Sequence, residues 1–512
     1  MSTKKILAVL LALFVLATAV SGCGNSGSSS ADSQSGSSAT SENSASSEDT
    51  ASTDGEVPTI SLMVVCGTTP PDADAVAEKL SEITREKIGC NVEFITMEIG
   101  NVAQQLNLLL SGGDDTLDVF MAGISVPYST IVNNGQALSL DTLMEPYAEE
   151  VKTALGEKVY ESGRVNGELY GIGRLLDQAS TTCYNLRRDI AEEFGYKNGD
   201  KVDLAELTEL FGKVREKYPD TPLIGPMNGV PSIGDSRIDS LGNKLGVLDN
   251  YGQDTTVTNY YESAGYEELV GYFKQWKEMG CYMADILNVT DAPIDYIPSG
   301  KAFGCFASHF SAEMNGIWSS QNFGTDIASL QIYEDAVAIT PGAYECINPA
   351  TKNPEAAAAL IYLMATDPDV ENLLINGIEG QHYQVLEDNT ATYVDGKDIS
   401  TTGWCLGYSW TALNSTISIP FEYPADYYDR MLAANKNAQQ SKAFGCQFDL
   451  TGVSDAVSAC TNVVNQYENA LSGGAVEDFD ATLAQFQQGL RDAGIDEIVA
   501  AKQEQLDAFL AG

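Results

Sequence analysis

The sequence predicts an α/β fold that begins with a mainly parallel sheet flanked by helices. Residues 60–65 are a continuous apolar run that suits a buried strand, and residues 92–96 and 118–122 are predicted as two further strands. The segments between them carry apolar residues at helical spacing, for example Val76, Leu80 and Ile83. Strand–helix–strand units of this length form right-handed crossovers, so we expect the three strands to lie parallel in one sheet.

Turn residues mark the limits of the other elements. Gly89 is expected to end the first helix, and Asn166-Gly167 is the dipeptide that a type I′ hairpin prefers. The remaining predicted elements are helices at 70–89, 101–110 and 141–155, a hairpin at 164–172, strands at 302–307 and 336–339, and an amphipathic closing helix at 495–510.

The first 56 residues are expected to direct and tether the protein. Lys4 and Lys5 precede an apolar run at 6–20, which is shorter than the about 20 residues that a membrane-spanning helix needs. The run ends in Val20-Ser21-Gly22-Cys23, which resembles the lipobox of bacterial lipoprotein signals. We therefore predict a signal peptide at 1–22, lipid (palmitate) on Cys23, and a Ser-rich flexible tether at 23–56. This places the protein at the extracytoplasmic face of the cell membrane.

Composition excludes several classes of function. The formal net charge of −44 argues against nucleic acid as a partner, because phosphates need Lys and Arg. Two histidines exclude multi-histidine zinc sites, and no phosphate-binding loop motif is present. We expect no enzyme activity, no metal and no cofactor. Of the 10 cysteines, those after Cys23 are expected to be mostly buried free thiols.

Four motifs, in this order along the chain, resemble those of extracellular solute-binding proteins of family 1. They are residues 108–113 followed by 118–120, residues 166–172 followed by 182–185, residues 353–369, and residues 490–506. The last is similar to a lipoprotein branch of the family that has a C-terminal domain of unknown function.

This resemblance implies a two-lobed clamshell of the type II periplasmic-binding-protein kind, with lobes joined by hinge segments. Lobe one is predicted at 57–182 and 337–400, and lobe two at 187–336 and 401–512, including a helical C-terminal region. The implied function is capture of a small solute by lobe closure and delivery to the permease subunits of an ABC-type importer. A monomer is expected. Two alternatives remain: a surface glycoside hydrolase, and a lipoprotein that senses or adheres on the same fold.

Ligands of open α/β sheets bind outside the carboxyl ends of the strands, which selects loops facing the cleft between lobes. Aromatic residues in such loops suit a saccharide, because a sugar ring stacks its CH face on them. The predicted ligand-binding residues are Thr68, Ser125, Tyr128, Arg174, Asp177, Gln178, His309, Phe310, Trp404, Tyr408 and Trp410.

Each of these residues also has a purely structural interpretation. The aromatic segment continues with Phe421, Tyr423, Tyr427 and Tyr428, any of which could belong to the core. Arg174 and Asp177 could form a solvated surface pair. Trp276 and Trp318 are interpreted as helix residues that pack inward.

Overall fold

The computed structural model describes residues 57–112, 115–227, 233–289, 291–333, 336–404 and 411–511. The predicted signal peptide, Cys23 and tether lie outside these residues, and so do Tyr408 and Trp410.

Strands and helices alternate along most of the chain. The first part contains β1 (Thr59–Cys66), α1 (Ala73–Ile88), β2 (Asn91–Glu98), α2 (Val102–Ser111), β3 (Val119–Ala122), α3 (Tyr128–Asn133), α4 (Asp141–Met144), α5 (Ala148–Leu155), α6 (Glu157–Glu161), β4 (Arg164–Val165), β5 (Glu168–Leu169) and β6 (Gly171–Gly173). The second part contains β7 (Ala179–Arg187), α7 (Arg188–Glu193), α8 (Leu204–Lys217), β8 (Val247–Leu248), α9 (Asp249–Gly252), β9 (Val257–Thr258), α10 (Ala264–Glu278), α11 (Pro293–Tyr296), β10 (Gly304–His309), α12 (Ala312–Phe323), β11 (Ile327–Gln331) and β12 (Val337–Ala338). The third part contains β13 (Tyr344–Ile347), α13 (Pro354–Thr366), α14 (Pro368–Asn376), β14 (Tyr383–Val385), β15 (Ala391–Tyr393), α15 (Tyr427–Asn437), β16 (Gln439–Gln440), α16 (Ser454–Ser472), α17 (Phe479–Asp492) and α18 (Ile495–Ala511).

Lobe one is built on a five-stranded sheet in the order β2-β1-β3-β13-β6. As predicted, β1 is parallel to both β2 and β3, while β13 is antiparallel to its two neighbours. Leu62 and Val64 of β1 pack in one core with α1, and Met63 and Val65 pack in a second core with α2. Helices therefore cover both faces of the sheet, which explains the continuous apolar run of β1.

The predicted turns have the expected backbone conformations. Asn166 and Gly167 have φ values of 52° and 86°, as a type I′ hairpin requires. Gly89 ends α1 with a φ of 72°. The helix predicted at 141–155 is divided into α4 and α5, and Pro146, which lacks an N–H to donate, lies between them.

Lobe two differs from the predicted parallel arrangement. Its central strand β7 enters from lobe one and is antiparallel to β10, β11 and β12. The three partners thus run opposite to the entering strand. Tyr184, Phe211 and Trp276 form the centre of the lobe-two core, and Trp276 is fully buried, as the sequence predicted.

The structure corrects the predicted lobe boundaries. Val337 and Ala338 pair with β7 in the lobe-two sheet, so lobe one resumes at β13 rather than at 337. Trp404, Leu413 and Phe421 pack in the lobe-one core, so the chain returns to lobe two after 421 rather than at 401. The shift arises because these three residues follow β15 along the chain yet still pack on lobe one.

Seven cysteines of the described part are buried free thiols, as expected, and Cys66 is buried as well: the seven are Cys90, Cys183, Cys281, Cys305, Cys346, Cys446 and Cys460. Among the described helices, none combines the length and apolarity that crossing a membrane requires. The described residues contain no cluster of His, Cys, Asp and Glu that could hold a metal ion.

Candidate ligand site between the lobes

Two connections between the lobes run side by side and form a short ribbon, the hinge ribbon (residues 174–179 and 338–343). The Arg174 amide donates to the Ala343 carbonyl at 3.2 Å, and the Ile339 amide donates to the Gln178 carbonyl at 3.2 Å. β7 and β12 continue this pairing into lobe two. A third crossing follows Phe421 and leads into α15.

A cavity of about 390 Å³, the first cavity, lies beside the hinge ribbon and is lined by both lobes. The lobe-two strand β10 ends at this cavity, as expected for the carboxyl end of a strand. Its lining residues are Arg174, Leu176, Asp177, Met227, Ala307, Ser308, His309, Asn315, Trp318, Ile375, Ala412, Ser415, Phe421, Tyr423, Tyr427, Tyr428 and Met431.

Aromatic side chains form one wall of the first cavity. The rings of Tyr423 and Tyr427 are stacked, with centroids 4.0 Å apart and an interplanar angle of 17°. Phe310 meets Tyr427 edge-on at 5.4 Å and is itself buried. The Tyr428 hydroxyl lies 2.9 Å from Ser418 Oγ. The helix start explains this arrangement, because the Tyr427 amide donates to Pro424 and the turn places Tyr423 against the first residue of α15.

Arg174 lies at the base of the first cavity and is only 5% exposed. Its Nε donates to the Ala412 carbonyl and its Nη1 contacts Met121 Sδ at 3.6 Å. Two fully buried carboxyl groups, Glu345 and Glu371, lie close enough for Arg174 to stabilise their charged forms. Burial nevertheless raises the pKa of each to about 8. The guanidinium is thus held in place by the protein around it.

The surrounding protein shifts the pKa of both Asp177 and His309, as is common for groups in a cleft. Asp177 is accessible to solvent, yet the protein atoms crowded around it raise its pKa to about 6. The half-buried His309 has its pKa lowered to about 4 by burial, so its imidazole is neutral at pH 7. A carboxylate, a neutral imidazole and a guanidinium can together accept hydrogen bonds from hydroxyl groups and donate to them.

The first cavity brings together part of the predicted set. Arg174, Asp177 and His309 line it, and Phe310 supports its aromatic wall. Gln178 does not line it: its amide nitrogen bonds to the Arg174 carbonyl, and its side-chain oxygen accepts from Asn435 within the hinge.

The other described members of the predicted set lie elsewhere. Thr68 and Ser125 are exposed and do not line the first cavity. Tyr128 is buried, stacks on Tyr344 at 4.2 Å, and borders a different cavity. Trp404 is 5% exposed, packs on Phe94 and donates to the Leu374 carbonyl. The structure therefore gives Trp404 a place in the lobe-one core.

Trp318 packs against a core cluster that includes Phe323, as the sequence predicted, but sequence reasoning missed its place in the site. Trp318 is half-buried on α12, contacts Phe323 and lines the first cavity. The buried face of α12 carries small and polar residues, including Asn315 and Ser319, which hydrogen-bond beneath the helix. This polar face was the signal in the sequence that α12 is more than a core helix.

Comparison with known proteins agrees with the architecture. A family model described as a domain of unknown function (DUF3502) matches residues 442–511. The chain is 23% identical over 474 residues to a protein of Streptococcus pneumoniae serotype 4 named carbohydrate ABC transporter substrate-binding protein, covering 90% of this chain and 92% of that one.

A crystal structure of the N-glycan transport solute-binding protein NgtS from S. pneumoniae superposes with a TM-score of 0.76 at 20% identity, covering 89% of this chain and 99% of NgtS. The chain has the fold of a solute-binding protein. NgtS in complex with Man1GlcNAc superposes with a TM-score of 0.68 at 21% identity, covering 89% of this chain and 100% of NgtS. These matches confirm the resemblance predicted from the sequence, including the C-terminal domain.

Proposed function

We propose that the protein captures an oligosaccharide outside the cell by closing its two lobes and delivers it to an ABC-type importer. The first cavity carries this proposal. It offers a stacked tyrosine pair beside a guanidinium, a carboxylate and a neutral imidazole, and both lobes contribute. A sugar ring can stack its CH face on Tyr423 or Tyr427 while its hydroxyls bond to Arg174, Asp177 and His309.

The relatives support a saccharide as the ligand class. The S. pneumoniae protein is named for carbohydrate transport, and NgtS has been crystallised with Man1GlcNAc. A panel of candidate ligands should therefore begin with neutral oligosaccharides containing mannose and N-acetylglucosamine.

The N-terminal sequence supports attachment to the membrane. A capture protein must remain near its permease, and a lipid on Cys23 followed by a Ser-rich tether would keep a mobile clamshell within reach. The proposed partners are thus a saccharide, the permease subunits and the membrane through the lipid.

Among the described lining residues of the first cavity, Asp177 is the one carboxylate. Glycoside hydrolysis by the common mechanisms requires a pair of carboxyl groups that flank the scissile bond. The described part of the cavity thus favours binding over hydrolysis. Release of product over several turnovers on incubation with oligosaccharides would contradict the binding role.

Titration calorimetry and thermal shift against the oligosaccharide panel test the proposal. A ligand at a hundredfold excess over its Kd should stabilise the protein by about 2.7 kcal/mol. Tyr423→Ala should weaken binding by about tenfold, because it removes one ring of the aromatic wall.

Tyr362→Ala is a matched control for Tyr423→Ala. Tyr362 stacks on Tyr147 with centroids 4.6 Å apart, in a similar half-buried tyrosine pair that lies outside the first cavity. If Tyr423→Ala and Tyr362→Ala bind the sugar with equal affinity, the aromatic wall does not contribute to the site. If no sugar of the panel stabilises the protein, a saccharide is not the ligand.

A further inference from the structure

The C-terminal domain bridges the two lobes. Its helices belong to lobe two, because Cys460, Phe486 and Ile498 are fully buried in the lobe-two core. Its first segment, residues 442–450, packs on lobe two through Ala443 and Cys446 and also reaches lobe one, and we call this segment the strap.

The strap contacts lobe one mainly through hydrogen bonds. Gln447 Nε2 donates to the Tyr344 hydroxyl at 2.7 Å and to the Ser162 carbonyl at 3.1 Å. Ser129 Oγ donates to the Phe448 carbonyl at 2.8 Å. Phe444 adds an apolar contact with the lobe-one core. A few hydrogen bonds hold less strongly than a shared apolar core, so this junction is the weaker of the two attachments.

The strap is also bonded to the hinge ribbon. Thr340 Oγ1 donates to the Ala443 carbonyl at 3.2 Å and accepts from the Gly445 amide at 2.9 Å. A rotation of the lobes about the ribbon must therefore change the geometry of the strap.

A second cavity, of about 410 Å³, lies beneath the strap and shares no lining residue with the first cavity. The first cavity is bordered by Arg174 and Asp177 of one ribbon strand, and the second by Ile339 and Thr340 of the other. The strap thus connects the lobes on the side of the ribbon that faces away from the candidate ligand site.

The chain superposes better on one NgtS crystal structure, with a TM-score of 0.76, than on the NgtS complex with Man1GlcNAc, with a TM-score of 0.68. The hydrogen bonds of the strap therefore occur in a lobe arrangement closer to the former. We propose that the strap stabilises this arrangement and opposes closure, so that Gln447 sets ligand affinity without touching ligand. This inference rests on the proposed function, since it requires a ligand that closes the lobes.

Gln447→Met tests the inference because it keeps the length of the side chain and removes both donated hydrogen bonds. Closure should become easier, and the Kd for an oligosaccharide that binds the wild-type protein should fall about fivefold. Gln487→Met is the matched control, since Gln487 of the same domain donates to the Tyr261 carbonyl within lobe two. An unchanged or weaker affinity in Gln447→Met would overturn the inference.

A measurement without ligand separates this inference from the proposed function. Dyes on cysteines introduced at the exposed positions Glu78 and Lys213 report the distance between lobes by single-molecule energy transfer. The closed fraction of sugar-free protein should rise about fivefold in Gln447→Met and stay at the wild-type level in Gln487→Met. Equal closed fractions in the wild-type protein, Gln447→Met and Gln487→Met would show that the strap does not oppose closure, whether or not any sugar binds.

Discussion

Replacing Glu345 by Gln should change how the stability of lobe one depends on pH. Glu345 is fully buried on β13, and neither of its carboxylate oxygens has a hydrogen-bond partner among the described residues. The charged groups that influence it are Glu371, which is also fully buried, and Arg174. Burial raises the pKa of Glu345 from 4.5 to about 8 despite the guanidinium.

The direction in which stability changes with pH follows from proton binding. Between pH 4.5 and pH 8 the folded protein holds a proton on Glu345 that the unfolded chain has lost. The free energy of unfolding must therefore decrease as pH rises through this window. A pKa rise of this size corresponds to at most about 5 kcal/mol. The amide introduced by Glu345→Gln does not ionise, so the stability of the variant does not decrease with pH in this way. Its buried amide lacks hydrogen-bond partners, however, which costs about 1–3 kcal/mol at every pH.

The two stability curves should therefore cross. At pH 5 the variant should be less stable than the wild-type protein, and at pH 8.5 it should be more stable by about 2–4 kcal/mol. Urea denaturation midpoints followed by circular dichroism at pH 5, 6, 7 and 8.5 measure this difference. Glu216→Gln, at an exposed position, is the control for loss of a carboxyl group. Parallel curves for Glu345→Gln and the wild-type protein would refute the assignment of a proton to Glu345.

Two further substitutions test buried features by the same denaturation assay. Lys502→Met keeps the aliphatic stem but leaves three oxygen acceptors within 3.0 Å of Nζ without their donor, so the free energy of unfolding should fall by about 3 kcal/mol. Lys213→Met, at an exposed position, is the control and should have nearly wild-type stability. Gly123→Ala should destabilise by about 2–4 kcal/mol, because Gly123 has a φ of 107° and a Cβ there would lie 2.1 Å from the Gly342 carbonyl oxygen. Gly452→Ala, where a Cβ would have open space, is its control, and equal midpoints for the two glycine variants would contradict the close approach at the hinge.

Local sequence patterns predicted the elements of lobe one well. The apolar run of β1, the glycine that ends α1 and the Asn166-Gly167 turn each depend on a few neighbouring residues. The rule for strand ends also selected Arg174 and Asp177, because it depends on topology and not on particular partners.

The two tryptophans show where local patterns fail. Glycine and serine around Trp404 indicated an exposed loop, but the residue packs on Phe94, which lies more than 300 positions earlier in the chain. Trp318 was interpreted as packing inward, and it does pack against Phe323, but it also lines the first cavity. Both cases concern contacts between distant segments, which spacing within one segment does not encode. The antiparallel pairing of β7 was missed for the same reason.

The unequal attachment of the C-terminal domain restricts how its role can be studied. Removing residues 442–511 would expose apolar surface of the lobe-two core, since Phe486, Leu490 and Ile498 are fully buried there. A truncated protein would thus lose stability and ligand binding together, and the loss would say nothing about lobe movement. Point changes in the strap avoid this, because Gln447 contacts lobe one and leaves the lobe-two core intact. The domain is therefore a structural part of lobe two, and its strap is the segment that is hydrogen-bonded to the hinge ribbon.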